Sequence, residues 1–341
     1  MDNLSLSADA RQRPWFAEAS VSTVRDFMER YFRHFNAAET LAAARAYRDF
    51  IDSGGAMVVA IAGAMSTAEV GVVLARMIRE RTIHAICSTA ANIEEDFYSI
   101  LARRDYRTGI RWRTWTATDD YDLREAGFNR VTDTAIPESV IESATAILRP
   151  LWRAAAHRGL ARFPYEWFYE TVLSVVSRGE FHIPPQESWL LAAAEQNLPL
   201  FCPGFEDSST ASMMVADMIA GRLSAHVARS GTEELQRFAE WMLRQQRARR
   251  PAGLLQIGGG IAGDFAISVV PLLLQDAVVS ETFWQLFIQV SDSTTSYGSY
   301  SGAPPAEKIT WWKLEPKTPA FMIESDATLV VPLLGAYVLD E

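Results

Sequence analysis

Short, almost wholly apolar runs alternate along this chain with segments whose apolar residues recur at helical spacing. Ala56 to Ile61, Ile83 to Cys87, Leu198 to Cys202 and Leu254 to Ile257 are runs of this kind. They are too short for buried helices, and they lack the polar alternation of a sheet wetted on one face. This pattern predicts strands covered on both sides within a parallel sheet. Each run leads into a helical segment: Ser66 to Arg79, Asn92 to Arg103, one from about Ser209 and one from about Ala262. The first 52 residues read as helix, with Phe27, Tyr31, Phe35 and Leu41 on a recurring apolar face. Arg104 to Glu138 is polar and aromatic, the composition of an excursion over the surface. No repeat, low-complexity tract or linker stands out. The expected architecture is a doubly wound α/β fold with a mostly parallel, Rossmann-like sheet and helices on both faces. Residues 1–52 form an N-terminal helical extension in this reading, and 53–341 a single nucleotide-binding domain.

In such a sheet, ligands gather beyond the carboxyl ends of the strands. Those ends here are small and polar as a group: Gly63-Ala64-Met65-Ser66-Thr67, Ser88 to Asn92, Glu206 to Ser209, and Gly258 onward. Gly258 to Gly263 also fits G-x-G-x-x-G between a strand and a helix, where bare backbone amides approach a pyrophosphate. A tight turn with no ligand accounts for the glycines equally well, since no acidic residue stands clearly placed to hold a ribose. Glu94-Glu95-Asp96 opens the helix after the second run, where the helix dipole alone is reason enough for carboxylates. The functional alternative is that one of them faces a bound amine. Ser291 to Gly302 is too polar for a core, and loops of this length in a compact domain tend to be functional.

Composition narrows the chemistry. The chain of 341 residues is 49% hydrophobic and 22% charged, which suits a globular protein with a full core. A net charge of −10 and pI near 5.1, with no basic stretch able to track phosphates, argue against nucleic acid as a partner. No apolar run is long enough to span a bilayer and no signal peptide is evident, so a cytoplasmic protein without membrane partners is expected. Cys87 and Cys202 lie in apolar runs and read as buried reduced thiols. His34, His84, His157, His182 and His226 are scattered, giving no metal-ligand spacing, and no metal is expected.

Lysine is nearly absent, and its location is informative. The three lysines, Lys308, Lys313 and Lys317, fall within ten residues of one another, and every other basic side chain is arginine. Compositional bias explains the scarcity but not the clustering. A lysine can lose its proton and act as an amine nucleophile, which a guanidinium cannot. Lys313 follows Ile309-Thr310-Trp311-Trp312, an apolar and aromatic flank expected to desolvate it and disfavour its charge. Lys308 and Lys317, beside Glu307 and Pro316, read as surface lysines.

Taken in order, Thr89 to Asp96, Pro203 to Ser209, Gly258-Gly259-Gly260, Tyr297 to Lys313 and Glu324 to Ala327 resemble the successive motifs of deoxyhypusine synthase. The nearer likeness is to the bacterial deoxyhypusine synthase-like branch, which shares Ser-Tyr-Gly-Ser-Tyr-Ser-Gly-Ala ahead of the lysine. It runs from about Tyr31 to the end of the chain. The resemblance implies a homotetramer with NAD sites at subunit interfaces and a place in polyamine metabolism. It implies an amine oxidised to an imine at the expense of NAD, attack on that imine by Lys313, and passage of the alkylamine group to an acceptor amine. It assigns Gly63, Ala64, Met65, Ser66, Thr67, Thr89, Ala90, Ala91, Glu95, Asp207, Gly259, Asp292, Ser293, Asp326 and Ala327 to NAD. Glu94, Ser212, Asp264, Tyr297, Gly298, Ser299, Tyr300, Glu307 and Trp311 fall to the substrate pocket, Trp311 packing on an alkyl chain or cation.

Departures from the family pattern bear on the substrate. Tyr297, Tyr300 and Ser212 stand where the parent enzyme has aspartates, Asp264 where it has histidine, and Trp312 where it has glycine. A pocket that exchanges three carboxylates for one is poorly suited to spermidine. The expected donor is therefore a diamine or guanidino-amine, and the resemblance to the bacterial branch, which has no hypusine-bearing translation factor to modify, makes a small-molecule acceptor the expectation. The alternatives are homospermidine synthesis from putrescine, deoxyhypusine synthesis on a protein lysine, and a silent NAD-binding scaffold in which Trp312 crowds the lysine.

Overall fold

Six parallel strands carry the fold: β1 (Ala56–Ile61), β2 (Ala85–Ser88), β5 (Leu200–Phe201), β6 (Ala252–Ile257), β7 (Leu286–Ser291) and β8 (Ala320–Glu324). Two more, β3 (Phe128–Val131) and β4 (Thr134–Pro137), form a separate antiparallel hairpin within the stretch expected to run over the surface. The computed structural model describes residues 21–295 and 298–341. In the main sheet the order is β5-β2-β1-β6-β7-β8. All six residues of β1 and of β6 are buried. Met57, Val59 and Ile61 enter one hydrophobic core, while Ala56, Val58 and Ala60 enter another on the opposite face. A strand with a core on each side must be apolar throughout, which is the pattern its sequence shows.

The chain leaves β1 toward β2 on one side, whereas β6 pairs on the other, so the order reverses at β1. A crevice opens outside the carboxyl ends of β1 and β6 at this switch point. Helices Ala90–Ala102 and Gly260–Pro271 begin just beyond β2 and β6, so their amino termini point into this region.

The amino-terminal segment differs from the expected continuous apolar face. It breaks into helices Val24–Tyr31 and Phe35–Asp52, with Phe35 at φ 54° at the junction. The break rotates one helix against the other. Leu41 is buried, but Phe27, Tyr31 and Phe35 are exposed, Phe35 at 95%. Both helices dock on the carboxyl-terminal part of the chain. Arg25 and Arg48 donate to the carbonyls of Tyr337 and Val338 at 2.9 and 2.8 Å, and Asn36 donates to the Glu324 carbonyl at 2.8 Å. Among the described residues no helix is long and apolar enough to cross a membrane.

Candidate functional site

The end of β1 is shaped by a residue that sequence reasoning placed among the polar strand ends but gave no role. Asn92 is fully buried in the third position of helix Ala90–Ala102. Its Nδ2 donates to the Gly63 carbonyl at 2.9 Å and to Thr89 Oγ1 at 2.8 Å, and its Oδ1 accepts from the Ser66 amide at 2.9 Å. Ser66 Oγ donates to the Asn92 carbonyl at 2.7 Å and accepts from the Trp189 indole at 2.9 Å. Glu95, one turn on, accepts from the Thr67 amide at 3.1 Å. The loop Gly63 to Thr67 is thus pinned from below, with Ser66 turned inward.

Glu94, Glu95 and Asp96 do not open their helix. It starts at Ala90, so they sit in its second turn and are buried, and the helix dipole does not account for them. Burial raises the Glu95 carboxyl to about 7 against the Thr67 hydrogen bonds, and raises Asp96 to about 7 against those from Ser188 and Leu190. Glu94 is turned onto the start of helix Ser209–Ile219. It accepts from the Ser209 and Thr210 amides at 3.2 and 2.9 Å and from Thr210 Oγ1 at 2.7 Å. Within this chain it caps a helix rather than facing open space.

A cavity of about 380 Å³ lies at the switch point. Gly63, Met65, Gly259, Asp292, Ser293, Asp326 and Ala327 line it, seven of the residues that resemblance assigns to the cofactor. A second cavity, of about 690 Å³, shares Met65 and Asp326 with it and adds Ala64 and Thr67. Thr89, Ala90 and Ala91 form the start of helix Ala90–Ala102, where the Thr89 side chain makes no cap; Gly259 offers no side chain to cap helix Gly260–Pro271, whose Gly260 amide meets Ser301 Oγ at 3.3 Å. Backbone amides at helix starts are the donor set that a pyrophosphate needs. A Cβ on Gly259 would lie 1.6 Å from Ser301 Oγ, so that position admits only glycine. These residues fit a dinucleotide. Asp207 is exposed beyond β5 and lines neither cavity.

The polar stretch after β7 is held by two glutamines that interrupt otherwise apolar strands. Gln256 and Gln289 face each other in register on β6 and β7, both fully buried. Tyr300 Oη donates to Gln256 Oε1 at 2.6 Å, Gln289 donates to the Ser301 carbonyl, and the Gly260 amide donates to Ser301 Oγ at 3.3 Å. The turn from Gly298, through Ser299, to Gly302 is thereby laid against the glycine triplet. Tyr297 lies outside the described residues.

Lys313 meets this turn from the other side. Its Nζ is 2.7 Å from Asp264 Oδ1 and 5.1 Å from the Tyr300 ring centroid, and its side chain is 12% exposed. The shielding comes from these partners, because Trp311 and Trp312, expected to desolvate the lysine, are 64% and 50% exposed. Trp312 stacks on Phe283 with ring centroids 6.3 Å apart. Its φ is 58°, a left-handed conformation that favours glycine, which explains the residue the wider pattern carries there. Lys308 overturns its reading as a surface lysine. It is 2% exposed, and burial, followed by the nearby Lys313 charge, brings its ammonium down to about 8. Lys317 is on the surface beside Glu315. Glu307 is exposed, and Ser212, also exposed, donates back to the Ser208 carbonyl at 3.0 Å.

The chain is similar to known proteins along most of its length. A deoxyhypusine synthase-like protein from Nostoc sp. is 26% identical over 330 residues, covering 94% of this chain and 82% of its own. "Probable deoxyhypusine synthase 1" from Archaeoglobus fulgidus is 27% identical, covering 90% of both chains. A crystal structure from Entamoeba histolytica, provisionally assigned as a deoxyhypusine synthase, superimposes with a TM-score of 0.56 over 92% of each chain; at 10% identity it speaks for the fold. Residues 26–338 match the family described as deoxyhypusine synthase. The chain belongs to the deoxyhypusine synthase family.

Proposed function

We propose that this protein is an NAD-dependent transferase that moves an alkylamine group, of the aminobutyl type, from a donor amine to an acceptor amine through an imine on Lys313. The observation that carries this reading is the Lys313 amine, held between Asp264 and Tyr300 at the helix that rises from the glycine triplet. The loop Gly63 to Thr67, the glycine triplet and the Asp326-Ala327 helix start would hold the cofactor. Bound NAD would supply the redox chemistry, accepting a hydride from the carbon beside the donor nitrogen and returning it to the product imine at the end.

Between those events Lys313 does the work. Its Nζ forms a bond to the imine carbon, the bond from that carbon to the departing amine breaks, and a lysine proton leaves with that amine. Asp264 Oδ1, already hydrogen-bonded to Nζ, is placed to pass the proton. An acceptor amine then displaces Lys313 by the same exchange and frees it for another cycle. No net oxidation results. The acceptor in this reading is a small molecule; a protein lysine is the alternative. The reading also takes the protein as a homotetramer with sites between subunits, for which Ile261, Trp311 and Trp312 offer exposed apolar surface beside the lysine.

The test is to incubate the protein with NAD and a panel of amines, add borohydride, and measure intact mass. One alkylamine should be trapped, on Lys313 by peptide mapping, and Lys313→Arg should trap nothing while still folding. Normal turnover by Lys313→Arg, or a trapped mass on Lys308 or Lys317, would refute the assignment.

A further inference from the structure

Gln256 is the one polar side chain of β6, and it is fully buried. Its Nε2 donates to the Gly258 carbonyl, at the first glycine of the triplet, at 2.8 Å. Its Oε1 accepts from Tyr300 Oη at 2.6 Å. A Cβ on Gly263 would lie 2.7 Å from Gln256 Cδ, so helix Gly260–Pro271 rests bare backbone on this amide. Close packing of helix on strand thus accounts for the last glycine of the G-x-G-x-x-G run. A methionine would fill the same space without burying an amide, so the core does not ask for glutamine here.

Two groups hold Lys313, and Gln256 stands behind both. Asp264, 2.7 Å from the lysine Nζ, directly follows Gly263. Tyr300, whose ring centroid lies 5.1 Å from Nζ, is tethered to Gln256 through its phenol. Lys308 Nζ lies 4.9 Å from the centroid of the same ring. Resemblance assigns Tyr300 to the substrate pocket, but its hydroxyl is engaged by Gln256 and its ring by the two lysines. A tyrosine side chain turns about two bonds, and fixing its far end fixes the plane of the ring.

We propose that Gln256 is a positioning residue for Lys313: it anchors the Tyr300 ring and seats the Asp264 helix, fixing the reactive amine relative to the glycine triplet. The inference rests on the covalent role given above to Lys313. A reactive group is held in place by the residues that lock its neighbours, and Gln256 touches the neighbours without touching the amine.

The test uses the scarcity of lysine. Protein labelled with ε-13C-lysine should give three methylene signals, one per lysine, which Lys313→Arg and Lys317→Arg assign. Protons over an aromatic face resonate upfield. The signals of Lys308 and Lys313 should therefore lie upfield of that of Lys317, whose side chain is 82% exposed. Tyr300→Leu should abolish the displacement. Gln256→Met and Tyr300→Phe break the tether and keep the ring. Each should move the Lys313 signal toward that of Lys317 and slow borohydride trapping on the order of tenfold. Because both break one tether, the double variant should trap no more slowly than the slower single variant. A merely structural role would lower the fraction of protein that traps, leaving the trapping rate and the Lys313 signal unchanged. That result, or a wild-type Lys313 signal coincident with that of Lys317, would overturn the proposal. If Gln256→Met does not fold, Tyr300→Phe decides alone. Should no amine be trapped at all, the proposed function fails while the lysine signals still decide whether Gln256 fixes the amine.

Discussion

Lys313 and Asp264, 49 residues apart in sequence, are joined by an ion pair with Nζ 2.7 Å from Oδ1. The pair ties the segment after helix Pro305–Thr310 to helix Gly260–Pro271, and through that helix to the glycine triplet at the crevice. Its contribution to stability is small, because the Asp264 side chain is half exposed. Its value lies in where it puts the amine.

Replacing Asp264 with Asn separates those two roles. Asp264→Asn should change unfolding free energy by less than about 1 kcal/mol, the range of exposed ion pairs. It should slow borohydride trapping on the order of 10- to 100-fold, because the amine loses its anchor and its proton acceptor. Urea melts and trapping time courses on the same preparation check both halves. Trapping at the wild-type rate would show that Asp264 is a bystander.

Gly259→Ala should block the proposed NAD site without touching the strands. The added methyl would overlap Ser301, so the Gly298–Gly302 turn must move away from the glycine triplet. Wild-type protein should melt higher with saturating NAD, since a ligand that binds only the folded state stabilises it. Gly259→Ala should lose that shift, and adding Ser301→Gly should restore part of it. A full NAD-induced shift in the single variant would mean that the triplet does not approach the cofactor.

Trp312→Gly probes the left-handed residue ahead of the lysine. Glycine removes backbone strain of about 1–2 kcal/mol but gives up the stacking contact with Phe283. Stability should therefore change little, and trapping on Lys313 should persist, because Trp312 packs toward Phe283 rather than over the amine. A variant that gains transfer absent from the wild-type protein would instead identify Trp312 as a block.

The buried carboxyls set a pH dependence. Asp96, raised to about 7 from 3.8, keeps its proton in the folded state after the unfolded chain has lost it. The folded state then binds more protons, so this group costs stability as pH rises from about 4 to about 7 and has no effect below that window. Glu95, raised to about 7 from 4.5, acts with the same sign. Asp96→Asn, which keeps an acceptor for Ser188, should lose less stability than wild type between about pH 5 and pH 8. Parallel losses in urea melts at the two pH values would show that Asp96 is ionised throughout.

How far the residues themselves revealed this site follows from the range of the forces involved. Ala56–Ile61 was legible to the residue, because a strand covered on both faces must be apolar at every position. The glycine triplet was legible as a close approach of backbone, a local requirement. The strands Leu286–Ser291 and Ala320–Glu324 were not anticipated. Gln289 interrupts the first, and the second is an edge strand, only half buried. Both glutamines were polar residues within apolar runs, a signal available in the sequence whose meaning depended on the turn they hold.

The sequence by itself determined four of the six sheet strands and the helices that follow them, the small polar strand ends, and the confinement of lysine to one stretch. Tertiary structure decided which of those side chains meet. Lys308 is buried and Trp311 exposed although they lie on one short stretch, because burial depends on what the far side of the chain brings, here Tyr300 and Phe287. Glu94 turns to a helix more than a hundred residues away, and Phe27 and Phe35 turn outward after a backbone break that no periodicity encodes. Local patterns report the conformational preferences of neighbouring residues. The contacts that make this site depend on loop closure over long separations, whose outcome is set by the packing of the whole sheet.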